Sequence, residues 1–122
     1  MIIKNADQIA KRANMTANQF VRGVWIKLFS SVVMDTRYDT GRMRANWQLT
    51  QDSPAKGDLD AYDKGGTATV NKIVAGLKGG DRVQYLTNNL PYVGVWEQQD
   101  AMVAKNIARI ETNIRKFARD IK

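Results

Sequence analysis

The residues best suited to chemistry fall into two neighbouring groups. Asp52, Asp58, Asp60 and Asp63 lie in one short stretch, and just before them the run DTGRMRANWQ, Asp39 to Gln48, packs two arginines, an asparagine and a tryptophan together. Paired carboxylates serve acid-base catalysis only where rigid placement gives them different environments. Asp58, Asp60 and Asp63 instead sit in SPAKGDLDAYDKGG, with Asp52 just before it, and the Pro, Gly, Ser and Asp content predicts a long, mobile, Gly-rich acidic loop with solvated charges. Asp58-Leu59-Asp60 begins like a calcium ligand run, but the twelve-residue loop with a closing glutamate is missing. Gly65-Gly66-Thr67 and Gly79-Gly80-Asp81 lack the lysine and spacing of a phosphate-binding loop and read as turn punctuation. The chain has no histidine and no cysteine. Thiolate zinc sites, thiol nucleophiles and imidazole bases are thereby excluded. The expectation is a protein without catalytic activity, cofactor or metal.

For the arginine run, three roles are open: a catalytic loop, a nucleic-acid contact, or a joint between protein subunits. Arginine forks onto carboxylates, and tryptophan supplies a large stiff contact surface, so both types are enriched at interfaces. The net charge of +7 and pI near 9.9 raise nucleic acid as a partner. That charge is unevenly spread. Residues 1–30 carry five bases against one acid and residues 101–122 six against two, whereas residues 51–63 carry four acids against one base. Lys105, Arg109, Arg115, Lys116, Arg119 and Lys122 would neutralise phosphates if they faced a duplex. Any soluble amphipathic helix presents such a face, however, and no zinc-finger, basic-zipper or aromatic sheet motif of nucleic-acid readers is present. A small basic DNA-binding accessory protein is the rival reading.

The elements that must position these groups follow from periodicity. With 122 residues and 43% apolar content the chain is expected to fold as one domain, residues 1–122, without disulfides. The start, MIIKNADQIAKRANM, is too interrupted by charge for a signal peptide, and no run is long enough to span a bilayer. From Asn5 to Thr36, Ile9, Ala13, Ala17, Phe20, Val24, Leu28 and Val32 recur at helical spacing, with Val21, Trp25, Phe29 and Val33 as an adjacent stripe. The pattern fits one long helix that projects from the domain, or two helices divided near Asn14 to Thr16 with Thr16 as N-cap. The second half is expected to be buried on two sides.

Strands are expected over Asn46 to Asp52, with Trp47, Leu49 and Gln51 on one face, and over Asp81 to Asn88, entered through a Gly-Gly-Asp turn. Between them Thr67 is placed as cap of a short helix through Leu77, with Val70, Val74 and Leu77 on one face; strand is the runner-up there. Pro91 ends the second strand. Val103, Ile107, Ile110, Ile114, Phe117 and Ile121 then form a continuous apolar seam on a charged helix, which packs most simply against the opening helix.

DTGRMRANWQ resembles the D-T-G-R-x-R-x-N-W segment of the tail-completion or neck proteins of long-tailed bacteriophages. YLTNNLPYVGVWE, Tyr85 to Glu97, is similar to that family's strand and N-N-x-P-Y turn, and order and spacing agree over nearly the whole chain. One departure is that VGVWEQQDAMVAK is short, with no glycine after Trp96 and Glu97. The resemblance implies an α+β subunit, in which a long N-terminal helix and a C-terminal amphipathic helix pack on a small antiparallel sheet. It implies a virion structural protein of the head-tail junction, assembled in the host cytoplasm into a homo-oligomeric ring, hexamer first and dodecamer as alternative. Its partners would be head-completion or connector rings and tail-terminator or tail-tube proteins. Genome DNA would pass through the channel without sequence-specific binding, and no membrane is involved. On this resemblance Asp39, Thr40 and Gly41 form the turn out of the first helix. Arg42 and Arg44 project to opposite sides of a starting strand, one pairing inward and one facing a neighbour. Asn46 bonds the turn backbone and Trp47 anchors sheet to helices. Asn88, Asn89, Pro91 and Tyr92 build the second turn, after Tyr85 in the strand.

Overall fold

The computed structural model describes residues 5–78 and 83–120. The opening apolar pattern is divided, not continuous: α1 spans Ala6–Arg12 and α2 spans Ala17–Met34. The division has a local cause. Thr16 accepts a hydrogen bond from the Gln19 N–H at 3.1 Å, and the Gln19 side chain accepts the Thr16 N–H at 2.9 Å, a reciprocal capping box that starts a new helix. Freed at this joint, α1 folds back on α2 and buries Ile9 and Ala10 instead of projecting from the domain.

Helix α2 is the axis of the core. Phe20, Val24, Leu28, Val32 and the flanking Phe29 and Val33 are buried, and the helix is covered on two sides, by α6 (Met102–Asp120) and by α4 (Thr67–Gly76). That width matches the two apolar stripes of its sequence. A single turn, α3 (Arg42–Ala45), follows a loop. Next come β1 (Gln48–Gln51), α4, β2 (Gln84–Thr87), α5 (Val93–Asp100) and α6.

The sheet has two antiparallel strands among the described residues, with Leu49 opposite Leu86 and Gln51 opposite Gln84. The chain is mixed α and β, mostly helix. Both strands are shorter than the alternation suggested, and the Gly-Gly-Asp entry to β2 lies outside the described residues. A two-stranded ribbon gains little stability by itself. This one leans on α4, where Leu49 lies against Gly76, and Leu49 and Leu86 reach the core.

Two further expectations are corrected. Arg42 to Ala45 is helical, so the arginines do not leave on alternate sides of a strand. Thr67 does not cap α4; Gly66, at φ +78°, occupies that position, and Ile73 and Thr69 are the buried residues of the helix. On α6 the buried line runs Met102, Asn106, Ile110, while Val103, Ile107 and Ile114 are half-buried and Phe117 is 40% exposed. The seam is therefore rotated toward Asn106, whose amide donates to Asp35 Oδ2 at 2.9 Å and to the Met102 carbonyl at 2.7 Å. Ile121 lies outside the described residues.

Candidate interaction site

The run from Asp39 to Trp47 is built around the C-terminus of α2. The last four carbonyls of a helix lack intrahelical donors and need partners from elsewhere. Here each has one. The Ser31 and Val33 carbonyls accept the N–H groups of Asp35 and Thr36, the Val32 carbonyl accepts the Thr36 hydroxyl at 2.7 Å, and the Met34 carbonyl accepts Arg44 Nη2 at 2.7 Å. Arg44 goes further, donating Nε to the Thr36 carbonyl at 2.8 Å and Nη1 to the Lys64 carbonyl at 2.7 Å, with Tyr38 stacked on its guanidinium. It is 7% exposed. A buried cation finds a favourable field at the negative end of a helix. Arg44 thus joins three segments of its own chain.

Its neighbours in the run act alike. Asn46, fully buried, donates to the Arg42 and Leu59 carbonyls at 2.8 and 3.0 Å and accepts the Leu59 N–H at 2.6 Å, pairing with the loop as a strand backbone would. The Gly41 carbonyl accepts the Asp63 N–H at 3.0 Å. Gly41 has φ +83°, and a side chain there would enter the backbone of Asp63 and Lys64, so glycine is required twice over. Thr40 Oγ1 accepts the Arg42 N–H, and Asp39 is exposed. Trp47 Nε1 donates to Thr36 Oγ1 at 2.8 Å inside the core. Arg42 pairs with Asp58 at 2.8 Å, both half-exposed, while its Nε is the one buried side-chain N or O without a partner among the described residues.

The second motif fastens the same loop from the other side. Asn88 donates to the Met43 carbonyl at 2.8 Å and accepts the Leu90 N–H, so the two motifs meet directly. Asn89 donates to the carbonyls of Ala55 and Gly57. Leu90 is buried, Tyr85 is half-buried in β2, and Pro91 and Tyr92 are exposed at the entry to α5. Residues 52–66 contain no helix or strand, yet they are tied to the body by these polar side chains. Asp58 and Asp63 have structural work. Asp58 takes the ion pair, and Asp63 accepts Gly66 N–H, Thr69 N–H and the Thr69 hydroxyl at the start of α4. Burial pushes the Asp63 carboxyl up. The hydrogen bonds from Thr69 and Gly66, with Arg44 nearby, outweigh that and hold it below the ordinary carboxylate range.

Side chains outside both motifs complete the arrangement. Thr36, 1% exposed, is the hub between α2, Arg44 and Trp47, and nothing but its place at the end of a helical pattern marks it in the sequence. Arg37 lies 3.8 Å over the Trp96 ring and binds Asp100 at 2.7 Å; that hydrogen bond raises the guanidinium pKa and lowers that of the carboxyl. Glu97 accepts the N–H groups of Val103 and Ala104, capping α6 where the glycine of the resemblance is missing. Ala101 takes the left-handed turn between α5 and α6 at φ +49°.

Among the concave surfaces of the described residues, two are each lined by a pair of aromatic rings. One, of about 240 Å³, lies where the motifs meet, between Arg37, Asp39, Met43, Tyr92 and Trp96, with Val95 exposed on α5. The other is an apolar groove of about 340 Å³ between α2 and α6, walled by Phe20, Val24, Ile110, Ile114 and Phe117 and floored by Gly23. No described helix is long and apolar enough to cross a membrane. No family model, curated protein or solved structure matches the chain.

Proposed function

We propose that this chain is a structural subunit of the neck of a long-tailed bacteriophage. It acts without catalysis, assembling into a ring, hexameric by preference, that joins connector to tail around the channel crossed by the genome. One observation carries the reading. The two motifs that resemble the tail-completion family form one unit through the bond from Asn88 to Met43, 45 positions apart in sequence, and the β1–β2 pairing, with an aromatic hollow at their junction. Their polar side chains fasten backbone to backbone. Exposed Tyr38, Tyr62, Tyr92 and Val95 leave amphipathic contact surface around them, of the kind enriched at protein interfaces.

The test is imaging of particles made when the phage lacks this chain. Filled heads and separate tails are expected, with joining restored by supplying the protein in trans; complete particles in its absence would refute the reading. The DNA-binding rival is separated by duplex titration across salt. Tight binding with a steep salt slope and no oligomer would favour that rival.

A further inference from the structure

The groove between α2 and α6 is unfinished as a core. Phe20 and Phe117 stack at 6.0 Å, but Phe117 remains 40% exposed, and a Cβ added at Gly23 would meet nothing within 4 Å. The charge of its walls restricts what can fill it. Among its lining residues Lys27 is the charged one, a base with no acid beside it in the lining. Two such grooves placed face to face would oppose like charges, which disfavours a symmetric dimer through this surface. The most acidic stretch of the chain is the loop at residues 51–63, where Asp60 is exposed and Tyr62 is 59% exposed.

Loop and groove lie apart within one molecule, and no loop residue lines the groove. The loop is pinned at Lys64 to Arg44, which also holds Met34 at the C-terminal end of α2, whereas the apolar end of the groove lies at Phe20. Along α2 from Met34, the groove begins at Lys27, about 10 Å away, and ends at Phe20, about 21 Å away at 1.5 Å per residue. Complementary patches at opposite ends of one body make a head-to-tail contact, which repeats from copy to copy and closes into a ring when the rotation permits.

We infer that the acidic loop of one copy docks in the α2/α6 groove of the next, with Tyr62 entering between Gly23, Ile114 and Phe117 and Asp60 meeting Lys27. This rests on the ring reading above. It names the surfaces that would form the ring.

The chain has no cysteine, so engineered pairs report contact without background. Tyr62→Cys and Asn113→Cys, both at exposed positions, are mixed under assembling conditions and oxidised. A bridged pair is expected in the mixture and in neither variant alone, and the double variant should give a ladder of bridged oligomers. Asp60→Lys and Lys27→Asp should each lower the assembled fraction, and together restore it. Bridging of Asn113→Cys with itself would mean groove on groove, and bridging in complemented particles to a different virion protein would assign the groove to that protein; either overturns the inference. Intact rings without the Tyr62–Asn113 bridge would refute the docking and leave the ring standing. Particles that complete themselves without the chain would refute both.

Discussion

The clasp around Arg44 and the groove between α2 and α6 lie at opposite ends of the same helix and are built in opposite ways. In the clasp nearly every polar atom is matched: Arg44 makes three bonds to main-chain carbonyls, and Asn46 makes three to main-chain groups of Arg42 and Leu59. In the groove an apolar wall is left open, with Phe117 exposed and Gly23 bare. An unmatched buried donor or acceptor costs about 1–3 kcal/mol, and in the clasp Arg42 Nε is the exception. Apolar surface can remain exposed at modest cost, and a large exposed patch marks an interaction site. The difference teaches where to look for partners. The residues that attract notice in the sequence stabilise the subunit, and the plainer helix faces are available to others.

The contrast can be broken most sharply at Arg44. Arg44→Ala removes three charge-assisted bonds, so a loss of about 3 kcal/mol or more is expected, and thermal denaturation should fall by roughly 10 °C. Lysine at this position should recover little, since it lacks the planar fork. A variant as stable as the parent would show that the clasp is not what closes the fold. Gly41→Ala comes next, at about 2 kcal/mol, from positive φ combined with the approach of Asp63 and Lys64; chemical denaturation measures it.

Asp63 gives the clasp a pH dependence. Its folded pKa lies below the unfolded one, so its contribution is complete above the ordinary carboxylate pKa of 3.8 and is lost as the pH falls through the folded value. Denaturation midpoints of the parent should drop more steeply below about pH 4 than those of Asp63→Asn. Parallel curves would remove the cap from the account.

Arg42→Ala should cost no more than about 1 kcal/mol, because its ion pair with Asp58 is half-exposed and its Nε already lacks a partner. Equal losses at Arg42 and Arg44 would erase the distinction between the two arginines. The smallest effect is expected at Gly23 and has the opposite sign. Gly23→Ala lies in open space within α2, so the subunit should gain about 0.5–1 kcal/mol, read from the same melts.

Local chemistry made part of this protein legible from residues alone. The wide stripe on α2, the Thr16 start signal and the amphipathic final helix each follow from neighbours within a few positions, where spacing and side-chain type decide the outcome. Tertiary structure decided the rest. That Arg42 and Arg44 share a helical turn yet meet different fates, and that the acidic loop is held in place, depends on groups brought together from distant positions, Thr36, Lys64 and Leu59 among them. Glu97 capping α6 and Asp63 capping α4 depend on how chain segments turn back on themselves. The physical reason is one of range. Helical period and capping are satisfied within one or two turns, but a buried donor must find its acceptor wherever the folded backbone leaves one free.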